Sequence, residues 1–384
     1  MKPNFTLRCA TKLHFGVGVL DKITNYLKDF NSIMIVCGKT SARISGALGV
    51  VEKKLKELNK NYIIYDKVIP NPTRDIVNEG VELARSERVD LIIAIGGGSA
   101  IDTAKAIAIT IPSNEDVWIF VKGLKIPEKT LPVIAINLTH GTGSEVDRYS
   151  VITNIETKEK IGFGYDNMYP LVSFDDPKLT LTMPKRQVIA TSLDALYHAL
   201  ESATSLEKTP YTLLLSKEAS QLIFKHLPLA INDLDNVDYR YWLLYASAIA
   251  GIAIDNSRTH LVHAMEHALS GYNPEIPHGE GLACLGPEIM KITYMYEPQI
   301  LTELLKPIIP ELSSKTEDAE LVKTGLVRFQ EDVGFRRKLS DYGISRDDIK
   351  ELTELTYNSM KPLIELAPFK VDKELIKNIF LACL

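Results

Sequence analysis

The sequence predicts a doubly wound α/β domain in the first half of the chain and an all-α domain in the second half. Before about residue 180, short apolar runs rich in branched side chains alternate with amphipathic helical stretches, a pattern typical of a parallel sheet covered by helices. After that point the long segments all have helical character. A chain of 384 residues also exceeds what one ordinary hydrophobic core accommodates. We therefore divide the chain into domains at residues 1–180 and 181–384.

The predicted strands are short, continuous apolar runs, as expected for strands that are buried on both faces. They lie at residues 32–36, 62–66, 91–95 and 132–136. The stretches between them, such as VVEKKLKELNK, carry apolar residues at i, i+3 and i+4 and predict helices. In the second half, the predicted helices cover residues 187–205, 210–227, 238–254, 257–270 and 282–295.

Composition and charge exclude several classes of protein. The net charge of −5 argues against nucleic acid as a partner, because phosphate backbones require a basic face. No apolar run approaches the roughly 20 residues that span a bilayer, so we expect no membrane partner. The N-terminal segment lacks the apolar core of a signal peptide, so we expect a cytoplasmic protein. The four scattered cysteines form no CxxC motif and are expected to be free thiols.

A glycine turn joins the third predicted strand to a helix. Gly96, Gly97, Gly98 and Ser99 follow LIIAI directly and precede the helical stretch AIDTAKAIAI. Glycines let the backbone approach a ligand closely, and the N–H groups and dipole of a helix N-terminus favour a pyrophosphate. The spacing is not the usual GxGxxG fingerprint, and a tight turn without a ligand is the alternative interpretation.

A second glycine segment follows the fourth predicted strand. Residues 139–145 read THGTGSE and offer hydroxyl and N–H groups at the same carboxyl edge of the sheet, where open α/β folds bind nucleotides. Alone, this segment could be an ordinary loop. Two such loops at neighbouring strand ends favour nucleotide binding.

Histidine and aspartate side chains in the second half form a candidate set of metal ligands. Asp194 and His198 lie four residues apart in a helical run and therefore share one helix face. His263 and His267 repeat this spacing, and His278 follows in the turn-forming EIPHGEG. Imidazole nitrogens combined with one carboxylate oxygen suit Fe(II) or Zn(II). The sequence therefore predicts a mononuclear metal centre.

Four motifs, GGGSAIDTAK, THGTGSE, DALYHALE and HLVHAMEHALSGYNPEIPHG, occur in this order along the chain. Together they resemble the iron-containing (group III) alcohol dehydrogenase family, part of the dehydroquinate synthase-like superfamily. The resemblance extends from His14 to the last histidine motif and is weaker beyond residue 300. It implies a nucleotide-binding N-terminal domain, a metal-binding helical C-terminal domain and an active site between them. The implied reaction is hydride transfer between a nicotinamide and a small alcohol or aldehyde, and a homodimer is the expected assembly.

The resemblance also implies roles for individual residues. The metal ligands, for Fe(II) or alternatively Zn(II), would be Asp194, His198, His263 and His278. His267 would lie near the metal outside its ligand set and is the candidate catalytic residue, as a proton relay or as a residue that orients a ligand. The candidate cofactor-binding residues are Asn71, Gly97, Gly98, Ser99 and Asp102, together with Thr139, Thr142, Lys160 and Leu179.

This chain departs from the family pattern near the expected substrate cleft. His140 in the second glycine segment is expected to put a polar ring beside the cofactor. Arg258 and His260 stand where the family often has small residues, and Asp147 replaces a common threonine. These changes add charge near the expected substrate cleft and argue against a simple apolar alcohol as the substrate. The alternative is a local Asp–Arg pair that does not touch the substrate.

The residues after the first predicted strand bear on the choice of dinucleotide. Family members selective for NAD tend to carry aspartate at the position of Gly38, where a carboxylate accepts the ribose 2′-hydroxyl and repels a 2′-phosphate. Gly38 removes that repulsion, and Lys39, Thr40 and Arg43 can supply partners for a phosphate. We therefore favour NADP(H) over NAD(H).

Three other functions remain open at this stage. The nearest is a zinc-dependent polyol dehydrogenase, of the glycerol or glycerol-1-phosphate type, or another dehydroquinate synthase-like enzyme. A different class is a metal-dependent phosphohydrolase whose glycine loops hold a substrate phosphate. The third is a sensor that binds nucleotide without turnover.

Overall fold

A six-stranded parallel sheet forms the centre of the first half in the computed structural model, which describes residues 4–384. The strands are β1 (Lys12–Phe15), β2 (Ser32–Gly38), β3 (Asn61–Val68), β4 (Leu91–Gly96), β5 (Val133–Asn137) and β8 (Val172–Asp175). Their order in the sheet is β1-β8-β5-β4-β2-β3. The predicted doubly wound α/β class is confirmed.

Alternate residues of the strands enter two separate hydrophobic cores, one on each face of the sheet. On β2, Met34 and Val36 pack into one core, while Ile33 and Ile35 pack into the other. Both faces are covered by helices, which explains why these strands are continuously apolar rather than alternating. The helices of this half are α1 (Thr24–Leu27), α2 (Ser41–Ile44), α3 (Ala47–Glu57), α4 (Arg74–Ser86), α5 (Gly98–Thr110) and α6 (Val117–Val121), with 3-10 turns at Val19–Ile23 and Pro177–Thr180.

Four strands were not predicted from the sequence. β1 and β8 are four residues each and add to one side of the sheet, and an antiparallel hairpin, β6 (Tyr149–Asn154) and β7 (Glu159–Gly164), lies apart from it. Because β1 precedes the first predicted strand, the glycine turn follows the fourth strand of the chain rather than the third.

The direction of chain winding reverses between β2 and β4. From β2 the chain first adds β3 on one side, and it then adds β4, β5 and β8 on the other side. The crevice at the carboxyl ends of β2 and β4 is therefore the topological switch point, where open α/β sheets bind their ligands. Gly38 and Gly96 are the last residues of these two strands.

The second half is helical throughout and is built around one large core. Among the described residues its elements are α7 (Lys185–Thr204), α8 (Pro210–Ala230), α9 (Val237–Ser257), α10 (Leu261–Tyr272), α11 (His278–Tyr294), α12 (Pro298–Leu305), α13 (Ala319–Asp332), α14 (Ile349–Ser359), α15 (Lys361–Ile364) and α16 (Lys373–Ala382), with 3-10 turns at Thr316–Asp318 and Leu339–Tyr342. α7 is buried along nearly its whole length, and it packs against α8, α9 and α11. This arrangement holds the residues of α7 in fixed positions. No helix within residues 4–384 combines the length and the apolar character that a membrane crossing would require.

Candidate active site

Three histidine rings of the helical half converge on one carboxylate oxygen. Asp194 and His198 lie one turn apart on α7, His263 lies in the first turn of α10, and His278 is the first residue of α11. The Nε2 atoms of the three histidines lie 3.5, 3.6 and 3.6 Å from Asp194 Oδ1. The structure thus brings together the four predicted metal ligands.

Two buried glutamates hold the far sides of two of these rings. Glu201 Oε2 accepts a hydrogen bond from His263 Nδ1, and Glu266 Oε2 accepts one from His278 Nδ1. Both carboxylates are fully buried. Each bond places the ring proton on Nδ1 and leaves the Nε2 lone pair directed at Asp194, which is the usual outer support of a metal-binding histidine. Sequence reasoning missed both glutamates.

The donor set fits a bound cation. His198 Nδ1 donates to the carbonyl of Gly141 at 3.2 Å, so its Nε2 also presents a lone pair. Asp194 Oδ1 and His263 Nε2 are buried without a hydrogen-bond partner. Lone pairs on a carboxylate and three rings repel one another unless a cation lies between them. Ligands about 2.1 Å from one tetrahedral ion are about 3.4 Å apart, close to the separations observed.

A second group of polar residues lies beside these donors. Glu266, His267 and His278 have donor atoms within 4.8 Å of one another. The Glu266 carboxylate is engaged by His278 and by Lys160 Nζ at 3.3 Å, so we interpret this group as support for the first site. His267 is buried, and its Nδ1 has no partner among the described residues.

The two glycine loops interlock at the carboxyl edge of the sheet. A Cβ on Gly97 would lie 2.6 Å from Thr139 Oγ1, and a Cβ on Gly98 would lie 2.5 Å from Thr142 Cγ2. Only glycine permits this approach. The first turn of α5 begins at Gly98, so Gly98 and Ser99 present free N–H groups there, whereas the N–H of Ala100 already donates to the carbonyl of Gly97. This is the geometry of an anion site.

Asp102 points away from that anion site. Its carboxylate accepts hydrogen bonds from Ser144 Oγ at 2.5 Å and from the N–H of Val151 at 2.9 Å. Lys105, fully buried one turn later, donates to Ser144 and to Asp147 Oδ1, both at 3.0 Å. Asp102 therefore ties α5 to the second glycine loop and to the hairpin.

The glycine loops and the three histidine donors line one cleft of about 170 Å³. Asn71 closes it from the sheet side and donates to the carbonyl of Pro274 at 2.9 Å, which links the two halves of the chain. Besides Asn71, the predicted site residues that line it are Gly98, Ser99, Asp102, Thr142, Lys160, His198, His263, His267 and His278. Gly38, Lys39, Thr40, Gly97, Thr139, Leu179 and Asp194 do not line it; the first three lie at the end of β2, and Leu179 packs in the core of the sheet.

Two further histidines do not lie where we expected. His140 is buried away from the cleft; its Nε2 accepts from Arg240 at 3.2 Å and its Nδ1 donates to Ser192 Oγ at 3.2 Å. The expectation of a polar ring beside the cofactor is wrong, because the fully buried Arg240 guanidinium requires an acceptor there. His260 is also fully buried and contacts Thr204 Oγ1 at 2.9 Å.

The alternative interpretation, a local pair between Asp147 and Arg258, is wrong. Asp147 pairs with Lys105 instead, and the Arg258 side chain lines the cleft.

Models of two protein families match the chain. Residues 10–177 match iron-containing alcohol dehydrogenase, and residues 188–384 match the C-terminal part of the Fe-containing alcohol dehydrogenase family. The chain belongs to the iron-containing alcohol dehydrogenase family. It is accordingly a metal-dependent alcohol dehydrogenase that uses a nicotinamide dinucleotide, as the resemblance implied.

Individual iron-containing alcohol dehydrogenases are similar to the chain along its full length. The long-chain primary alcohol dehydrogenase AdhA of Thermoanaerobacter ethanolicus is 42% identical, over 99% of this chain and 98% of that protein. The NADH-dependent butanol dehydrogenase A of Clostridium acetobutylicum is 33% identical, over 94% and 96%. Among solved structures, an archaeal halo-thermophilic alcohol dehydrogenase from a Red Sea brine pool superposes with a TM-score of 0.93 at 32% identity, covering 100% of both chains.

Proposed function

We propose that the chain interconverts a primary alcohol and its aldehyde at an Fe(II) ion held by Asp194, His198, His263 and His278, with Zn(II) as the alternative ion. The observation that carries this proposal is the convergence of three Nε2 atoms on Asp194 Oδ1 at 3.5–3.6 Å. When bound, the ion supplies Lewis acidity that polarises the substrate oxygen and lowers the pKa of an alcohol.

The surrounding residues orient the reactants and move the proton. Glu201 and Glu266 fix the rings of His263 and His278, so that the donor atoms are in place before any substrate enters. His267 lines the cleft with a buried, unpartnered Nδ1 among the described residues, and we assign to it the relay of the substrate proton.

The dinucleotide would cross the switch point of the sheet. Gly97, Gly98 and Ser99 would bind the pyrophosphate at the start of α5, with Thr139, Thr142 and Asp102 supporting that loop. Asn71 and Lys160 lie towards the metal donors and suit the nicotinamide half, whereas Leu179 lies beneath the adenine side of the sheet. This division assigns the dinucleotide to domain 1–180 and the metal to domain 181–384.

We favour NADP(H) as the dinucleotide. Gly38 places no carboxylate at the end of β2, and the exposed Lys39 and Thr40 follow it directly. Arg43 lies beside them and donates to the carbonyl of Lys39 at 2.8 Å, although it also pairs with Asp66.

The ratio of kcat/KM for NADPH over NADH should exceed one. Gly38→Asp should reverse that ratio, whereas Gly49→Asp on α3 should leave it unchanged. A wild-type enzyme that prefers NADH would contradict this assignment.

We propose a homodimer that forms through the edge of the sheet at β1. Among the described strands β1 pairs only with β8, which leaves its other edge open. Phe15 on this strand packs against Tyr241 and Tyr245, and the neighbouring Trp242 is 38% exposed. Light scattering should give twice the 42.8 kDa mass of the chain. A monomer at micromolar concentration would contradict the proposal.

The experiment that tests the function combines dinucleotide binding with turnover. Protein purified without oxygen and loaded with Fe(II) should enhance NAD(P)H fluorescence and reduce short alkanals. His198→Ala should bind NADPH with similar affinity but should lose turnover. Phosphate-ester hydrolysis without dinucleotide binding would instead indicate a phosphohydrolase, and binding without turnover of any aldehyde or alcohol would indicate a sensor.

A further inference from the structure

An arginine without a partner lines the cleft. Arg258 is half-buried directly after α9, and its guanidinium makes no hydrogen bond or ion pair with any residue of the described chain. The other ionised groups of the cleft are engaged. Lys160 donates to Ser270 Oγ at 2.8 Å and to Glu266, and Asp147 pairs with Lys105. Arg258 is therefore a cation in the cleft that no protein group neutralises.

The backbone of this arginine is strained. Its φ of 61° and ψ of 172° fall in a region that is adopted almost only by glycine. A glycine would occupy this position without strain, but it would place no charge in the cleft. Strain of this kind collects at ligand sites, where the surrounding structure holds a side chain in a required position.

The chain around Arg258 runs from the second glycine loop, which Gly251 contacts, to the metal-ligand candidate His263 at the start of α10. Gly251 and Ile254 share one face of α9 at i and i+3, and Arg258 is the first residue after the helix. Gly251 packs on the second glycine loop, where a Cβ on Gly143 would lie 2.3 Å from the Gly251 Cα. Arg258 is two turns farther along the helix, a distance of about 10 Å. Only four residues lie between it and the metal-ligand candidate His263 in the sequence.

We propose that Arg258 is a specificity-determining residue that binds an anionic group, such as a carboxylate, on the part of the substrate remote from the reacting carbon. A guanidinium binds a carboxylate through two parallel N–H···O bonds. Ile254 and Leu363 also line the cleft and would contact the methylene groups between the two ends of the substrate. The preferred substrate class is then an ω-carboxylated primary alcohol or aldehyde. This inference rests on the proposed alcohol dehydrogenase function.

The test compares charged and neutral aldehydes on Fe(II)-loaded enzyme. The probes are 4-oxobutanoate, 5-oxopentanoate and 6-oxohexanoate, each paired with the unbranched alkanal of equal carbon number. For at least one pair the wild type should favour the anionic aldehyde in kcat/KM. Arg258→Met should lower kcat/KM for that aldehyde about 10- to 100-fold, mainly through KM, because one charge-assisted contact is lost. The same variant should change kcat/KM for the matching alkanal less than about threefold.

Two further variants make the result specific. Arg258→Lys keeps the charge and should recover part of the preference. Arg88→Met is the matched control, because Arg88 is an exposed arginine that also has a positive φ, 51°, at the end of α4. It should leave both substrate classes unchanged.

The outcomes separate the inference from the function on which it rests. Three results would overturn the role of Arg258 while alkanal reduction still supports the proposed function. The first is an equal loss of kcat/KM for charged and neutral aldehydes in Arg258→Met, and the second is a raised KM for the dinucleotide instead. The third is a wild type that shows no preference for any anionic aldehyde. A wild type that reduces neither class would overturn both.

Discussion

Glu201 and His263 are joined across the helical core, because the carboxylate of Glu201 on α7 accepts the Nδ1 proton of the ring on α10. The same carboxylate accepts the backbone N–H groups of His260 at 3.0 Å and Val262 at 2.7 Å, which are at the start of α10. One buried anion therefore caps a helix and also fixes the direction of a metal ligand.

Glu201→Gln should weaken metal binding more than it weakens the fold. The amide keeps the shape of the side chain, but it accepts the ring proton less strongly, so we expect the affinity for Fe(II) to fall about 10- to 100-fold. Chelator competition measures this change, with exposed Glu207→Gln six residues later as the control. An unchanged affinity would show that Glu201 does not act through the ring.

Gly98→Ala should abolish tight dinucleotide binding. The added Cβ would meet Thr142 Cγ2 at 2.5 Å, so the two loops would have to separate at the start of α5. We expect at least a tenfold rise in the dissociation constant of NADPH, measured by fluorescence titration, with metal content retained. Gly49→Ala on α3 is the control, since a Cβ there has open space around it. Unaltered binding by Gly98→Ala would argue against a pyrophosphate at this turn.

Lys105→Met should destabilise the protein strongly. The ammonium group is fully buried and donates to Ser144, to Asp147 Oδ1 and to the carbonyl of Tyr149 at 2.8 Å. Its removal leaves the Asp147 carboxylate buried without its counterion, at a cost of about 3–5 kcal/mol in the free energy of unfolding. Chemical denaturation checks this value. Lys53→Met, at a side chain that is 75% exposed, should change stability by less than about 0.5 kcal/mol. Equal stabilities of the two variants would refute the argument.

His140 should make the fold sensitive to acid. Burial, and then the charge of Arg240, lowers the pKa of His140 to about 3 from its ordinary 6.5. Between these values the unfolded chain binds a proton that the folded chain does not, so the stabilisation is complete above pH 6.5 and is lost as the pH falls. The contribution is about 1.4 kcal/mol per pH unit. The free energy of unfolding of the metal-free protein, measured by denaturation at pH 6 and pH 5, should fall between these two pH values. In His140→Gln this fall should be smaller by about 1.4 kcal/mol per pH unit. An identical fall would contradict the assignment.

The strands that could be predicted are those that contain a continuous apolar run, and they include the edge strand β3, most of whose residues are only partly buried. β2, β4 and β5 are continuously apolar, and their positions followed directly. β1 and β8 are four residues long and mix polar with apolar side chains, so only their pairing with the rest of the sheet makes them strands. Local sequence does not contain that long-range information.

The metal ligands of the candidate site could also be predicted from the sequence, because i, i+4 spacing determines which side chains share a helix face. The spacing of Glu201 and Glu266 from the ligands could have predicted their role, but the sequence analysis did not use it. They stand at i+7 from Asp194 and i+3 from His263, on the same helix faces as those ligands. The buried position of His140 could not be predicted from the sequence, because it depends on a contact with Arg240, one hundred residues away in the chain.

The most direct test of the account is the metal content of Asp194→Asn compared with wild type, both purified without oxygen. The amide keeps the volume of the side chain but removes the negative charge on which three imidazoles converge. We predict about one equivalent of iron per chain in wild type and almost none in the variant, with NADPH binding retained. An Asp194→Asn protein that holds as much metal as wild type would contradict the central claim.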